Sequence, residues 1–162
     1  LGKVGWDMLK DLRADAAEST ELRESLAKTL IYLSETQGNI GEGNTVGNYK
    51  AGLQRAREAV DLLSTAPPEK LPAKQLQSLA LAKRMVVTSI RGLGRYDEAV
   101  LGLKEIEPLL SRLERFPEFT QWARSERLAN LANAGFFLIL AGRPHEGLED
   151  YVQPVLRSEW AL

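Results

Sequence analysis

Two short stretches of this chain repeat one pattern, and that repetition constrains the fold more than any other feature. Leu93-Gly94-Arg95-Tyr96-Asp97-Glu98-Ala99-Val100 and Ala141-Gly142-Arg143-Pro144-His145-Glu146-Gly147-Leu148 align when Gly94 is set on Gly142. Arg95 then falls on Arg143, Glu98 on Glu146, Ala99 on Gly147 and Val100 on Leu148. Each part of the pattern has a physical role. The glycine ends one helix, the acids suit the N-terminus of the next, and the small residue lets two helices cross closely. Connections this short force antiparallel neighbours. Hairpins of this kind cannot bury their apolar faces alone, so they stack.

The rest of the sequence carries the same period. Apolar residues recur at spacings of three and four nearly throughout, and no stretch alternates as a strand would. About seven helices are predicted, as one all-α domain over 1–162 made of stacked antiparallel hairpins. An N-terminal helix covers about 1–16, and helix pairs follow over about 20–64, 73–113 and 117–159. Thr20 is read as an N-cap with acids behind it, and Leu22, Leu26, Leu30 and Leu33 share one face. Residues 38–48 are a glycine- and asparagine-rich loop. The next helix is placed from Thr45 or Val46 to Leu63, burying Leu53, Ala56, Val60 and Leu63, and is stopped by Ala66-Pro67-Pro68. Phe116-Pro117 is taken to open the sixth helix. Pro108 predicts a kink or early end in the fifth, and Pro154 a distortion in the seventh. The two repeat glycines stand 48 residues apart (94 to 142), so the helices between them must be long.

The segment from Leu93 to Val100 resembles the turn signature of tetratricopeptide repeats: leucine-glycine, an aromatic, an acid and alanine. The second turn resembles a degenerate copy, with Gly135 and Gly147 where that family prefers small residues; Val87, the counterpart of Gly135, is larger than the family norm. Gln37-Gly38-Asn39 followed by Asn44-Thr45-Val46-Gly47-Asn48, then Leu53 and Ala59, resembles helical repeats C-terminal to bacterial receptor-like serine/threonine kinases. The resemblance implies a tetratricopeptide-like α-α superhelix that binds a protein, as the sensing or docking part of a bacterial signalling protein. None of a kinase's own catalytic motifs occurs in the sequence.

Composition narrows the function classes. Hydrophobic residues make up 44% and charged residues 27%, with a formal net charge of -1. No basic stripe points to nucleic acid, and no apolar run approaches the roughly 20 residues that span a bilayer. There are no cysteines, which suits cytosol and periplasm alike. The expected location is cytoplasmic or, behind a membrane span, extracytoplasmic. The chain starts at Leu1, already in a helical pattern, and is read as a piece of a longer protein.

Parts for chemistry are sparse. His145 is the one histidine, so no triad or paired metal ligand set can be built on it, and it is read as a solvated turn residue. Gly41-Glu42-Gly43-Asn44-Thr45-Val46-Gly47 has neither the spacing nor the preceding strand of a dinucleotide loop, and Glu42 would repel phosphate. Glu105, Glu107, Glu114, Glu118 and Glu126 lie among arginines and read as a solvated face. Trp6, Trp122 and Trp160 are read as packing residues, with Trp160 a candidate for intermolecular contact. No catalytic residue, metal ligand or cofactor is assigned, and the chain is not expected to be an enzyme.

By the resemblance, the first helix of each pair lines a concave wall. Polar residues placed there are Lys28 and Tyr32, then Arg84, Thr88 and Arg91, then Asn130 and Asn133. Arginine and asparagine can grip a peptide backbone or a terminal carboxylate. The leading expectation is a non-catalytic scaffold for a peptide or protein partner. A homodimerisation module and a small-molecule sensor are the alternatives. Residues 135–140 are apolar almost all round and are expected to be buried on two sides or to form a self-association surface.

Overall fold

A computed structural model describes residues 19–38 and 48–159. The expected helix over 1–16, the loop residues 39–47, Trp6 and Trp160 lie outside the described residues. Within them the chain is all-helical, without a strand. The elements are α1 (Thr20–Gly38), α2 (Tyr49–Leu63), a 3-10 turn (Pro68–Lys70), α3 (Ala73–Gly92), α4 (Tyr96–Leu113) and α5 (Thr120–Leu140). A last rod has three parts: α6 (Pro144–Glu146), a π stretch (Gly147–Val152) and α7 (Gln153–Glu159).

Helix ends follow local chemistry. The residue that caps α1 is Ser19 and not Thr20: its Oγ accepts from Leu22 N at 3.3 Å, while Thr20 is already helical. Asn48 caps α2 by accepting from Ala51 N at 3.1 Å, which starts that helix at Tyr49, later than the predicted Thr45 or Val46. The α3 and α5 C-termini close with one motif. Gly94 N donates to Arg91 O and Arg95 N to Ile90 O, at 2.8 and 3.2 Å; Gly142 N donates to Ile139 O and Arg143 N to Leu138 O, at 3.1 and 2.8 Å. This pair of bonds is the Schellman closure, which needs a left-handed residue. Gly94 and Gly142 supply it, with φ of 75° and 81°.

One further predicted boundary changes, and the two internal prolines act differently. The sixth helix begins at Thr120, not at Phe116-Pro117, because residues 114–119 form consecutive turns tied by Phe116 N to Leu113 O and Phe119 N to Phe116 O. Thr120 Oγ1 donates back to the Glu114 and Phe116 carbonyls at 3.0 and 3.1 Å, holding the turn to the helix. Pro108 does not end α4, which runs unbroken to Leu113. Pro108 and Lys104, whose carbonyl loses its donor, are both exposed, so water can take the donor's place. The distortion expected at Pro154 is the π stretch, in which Gln153 N donates to Leu148 O, five residues back. The wider turn relieves the clash between a proline ring and the carbonyl four residues before it.

Each helix packs on its successor, and α1 also packs on α3. One core runs through all five long helices, from Leu26 and Leu30 through Leu76, Ile106, Leu110 and Leu113 to Leu138. Of the first apolar stripe, Leu26 and Leu30 are buried and Leu33 partly so, while Leu22 is exposed. Val60 is partly buried, whereas Leu53, Ala56 and Leu63 are in the core. Burial of 135–140 is incomplete: Gly135, Phe137 and Leu138 are buried, but Phe136 and Leu140 face solvent.

Candidate functional site: a groove between α1, α3 and α5

A cavity of about 220 Å³ opens where residues of α1, α3 and α5 converge, with Leu103 of α4 in its wall. Arg84, Thr88 and Arg91 project from α3 at spacings of four and three, which places them on one face. Asn133 and Phe137 come from α5 and Glu35 from α1; Met85, Val87 and Leu103 line the same cavity. Four of the seven residues expected on the inner wall are therefore brought together: Arg84, Thr88, Arg91 and Asn133.

The two arginines have different situations. Arg84 Nη1 donates to both carboxylate oxygens of Glu126, at 2.7 and 2.8 Å, and so ties α3 to α5. With Glu126 only 17% exposed, a contribution of about 1 kcal/mol is reasonable for such a charge-assisted contact. The Arg91 guanidinium makes no hydrogen bond or ion pair to a described residue. Its guanidinium carbon lies 5.9 Å from the centre of the Phe137 ring, a cation-π contact of roughly 0.5–1 kcal/mol. The contact leaves its N–H donors without a described acceptor, available to a group that enters the groove. Asn133, exposed on α5, has no described partner either.

Lys28 and Tyr32 do not line this cavity. Both are exposed on α1, Tyr32 at 64%, and positions 28, 32 and 35 share a helix face, so they extend the groove along α1 from Glu35. Asn130 departs from the expectation. It stands about 60° around α5 from Asn133, on the flank that α4 covers, and is 7% exposed. It lines a separate cavity with Leu103 and Lys104 of α4. No described residue hydrogen-bonds its side-chain amide, whose polar atoms stay open to water through that cavity.

The carboxylates read as a solvated face are mostly engaged between helices. Lys83 pairs with Glu105 at 2.8 Å, and Arg127 reaches Glu107 and Glu114 at 2.7 Å each. At the turns, Arg143 bridges from the second hairpin to Asp97 of the first at 2.8 Å, and also binds Glu146. The Glu146 hydrogen bond, with Asp97 adding to it, raises the Arg143 guanidinium above its ordinary value. Arg95 makes the matching pair with Glu98. His145 is exposed. Among the described residues there is no group of three or more acidic or histidine side chains placed to hold a metal, and no helix long and apolar enough to cross a membrane.

Sequence reasoning missed Glu35, Glu126 and Phe137 as parts of the groove. Phe137 sat inside an apolar run that gave no sign of its role under Arg91. Glu126 is 42 residues from its partner Arg84, a separation that closes only because α3 and α5 both pack on α4. Comparisons with protein-family models, with curated proteins and with solved structures give no match to this chain.

Proposed function

We propose that the chain is a non-catalytic protein-interaction scaffold whose hairpins stack as a tetratricopeptide-like superhelix, with a peptide or protein partner lying in the groove between α1, α3 and α5. The observation that carries the reading is the convergence of Arg91 and Asn133, both without described partners, on one cavity from two helices that are not sequence neighbours. A free guanidinium held over an aromatic ring is suited to a carboxylate, from an acidic side chain or a chain terminus. Met85, Val87, Leu103 and Phe137 supply the apolar floor. The twin Schellman turns support the repeat reading. The resemblance extends the proposal to a sensing or docking region of a bacterial signalling protein.

Selection from a random-peptide display library tests the proposal. Peptides with an acidic residue or free carboxyl terminus should be enriched, and Arg91→Ala with Asn133→Ala should weaken them about tenfold or more, as expected for lost charge-assisted hydrogen bonds. Selected peptides whose affinity ignores both changes would contradict it.

A second reading, a dimerisation module, draws on one observation. Phe136, Leu140, Leu148 and Leu156 are each 45–49% exposed, and all lie in the last hairpin. Sedimentation across concentrations decides it: a strict monomer removes the dimer.

A further inference from the structure

The 48-residue register places two gaps in equivalent positions. One lies between α2, α3 and α4, at about 250 Å³; the other lies between α4, α5 and Tyr151 of the π stretch, at about 300 Å³. Lys83 and Val86 line the first where Leu131 and Ala134 line the second. In the first, Lys83 and Glu105 pair at 2.8 Å. The register positions of Arg127 and Asn130 are there Leu79 and Ala82, both buried in the core.

In the second gap both of those positions are polar. Arg127 is held by Glu107 and Glu114, but Asn130 is not held at all. Its side chain is nine-tenths buried, lines the gap and bonds to no described residue. Lys104 is exposed at the same gap, and no described carboxylate pairs with it. The far wall is π-helical, a conformation frequent at functional sites. The exchange of an apolar core position for an amide that water reaches gives this gap a polar group that a ligand can bond in place of water.

We propose that this gap is a binding site for a small organic monocarboxylate with an apolar body. The apolar part lies against Leu103, Leu131, Ala134 and the Tyr151 ring. Lys104 takes the carboxylate, and the Asn130 amide bonds a polar atom of the ligand. Arg127 is taken up by Glu107 and Glu114, which leaves Lys104 as the cation of the lining without a described carboxylate and favours an anion there. The volume stands at the low end of small-molecule sites, roughly 300–1,000 Å³, which suits one ring or branched chain. The site is distinct from the peptide groove, although Leu103 is a wall of both.

Amide chemical-shift titration with phenylacetate and 4-methylpentanoate tests this, with phenylacetamide and 2-phenylethylammonium as uncharged and reversed-charge counterparts. The carboxylates should give saturable shifts centred on residues 103, 104, 130, 131, 134 and 151, and the ammonium probe none. Lys104→Gln, at an exposed position, should weaken the carboxylates about tenfold and leave phenylacetamide unchanged. Asn130→Leu fills the gap and should abolish binding by all probes, with the remaining spectrum showing the fold kept. Arg91→Ala, which disables the peptide groove, should leave the titration unaltered. The proposal is overturned if neither carboxylate gives saturable shifts, if Lys104→Gln binds them as the parent does, or if the shifts centre on Arg91.

Discussion

The hairpin around Gly94 and the hairpin around Gly142 close their first helices with the same two hydrogen bonds, yet their second helices differ. After Gly94, α4 is a continuous α-helix that tolerates Pro108. After Gly142 the rod passes through six π-helical residues before Pro154. The close contacts differ in kind. In the first hairpin, a Cβ on Gly102 would come within 2.7 Å of the Val87 side chain. In the second, Gly135 and Gly147 meet backbone to backbone: a Cβ on Gly147 would lie 2.5 Å from Gly135 O, and one on Gly135 2.8 Å from Gly147 O. One turn geometry is thus compatible with two packings, and what selects between them is whether the large residue of the crossing is present, as Val87, or absent, as Gly135.

The largest expected effect breaks the second crossing. Gly147→Ala forces backbone apart, because no side chain can move aside, and should destabilise the last rod by about 1–3 kcal/mol. Hydrogen exchange would locate the loss in residues 144–159 while α2 to α4 keep their protection; uniform loss across the chain would refute a local crossing. Next in size is Gly102→Ala, at about 1–2 kcal/mol. Here Val87→Ala should restore part of the stability, and a urea-denaturation double-mutant cycle measures the coupling. Simple additivity would mean that Val87 is not the opposing atom.

Gly94→Ala and Gly142→Ala sharpen the comparison by testing what the hairpins share. Each should cost about 1 kcal/mol for a side chain at positive φ, and a clear inequality in urea midpoints would undo the equivalence of the turns. The smallest effect belongs to Arg143→Ala. It removes an exposed link to Asp97 and Glu146, so the melting temperature should fall slightly at low salt and not at all at high salt.

The repeated turn was legible because its residues act locally. Glycine at a left-handed C-terminus, acids in the following turn and proline at a first helical position need no knowledge of the neighbours. The groove was legible in part for a related reason: the spacing of Arg84, Thr88 and Arg91 fixes a common face whatever packs beside it. Asn130 and Asn133 show where such reasoning ends. Three positions apart on one helix, both read as outward-looking, but α4 covers the flank of one and leaves the other exposed. The Tyr49 ring over Gly92 and Val87 opposite Gly102 were hidden in the same way, since helical periodicity gives faces and not partners. The start of α5 at Thr120 depends on its hydroxyl bonding back to residues 114 and 116, which no propensity encodes.

The central claim is that a partner binds in the α1–α3–α5 groove through Arg91 and Asn133. Amide chemical-shift mapping with a display-selected peptide tests it most directly. The account predicts the largest shifts at residues 84, 88, 91 and 133, continuing toward 28 and 32 on α1. Shifts concentrated instead on Phe136, Leu148 and Leu156, with the groove undisturbed, would contradict it.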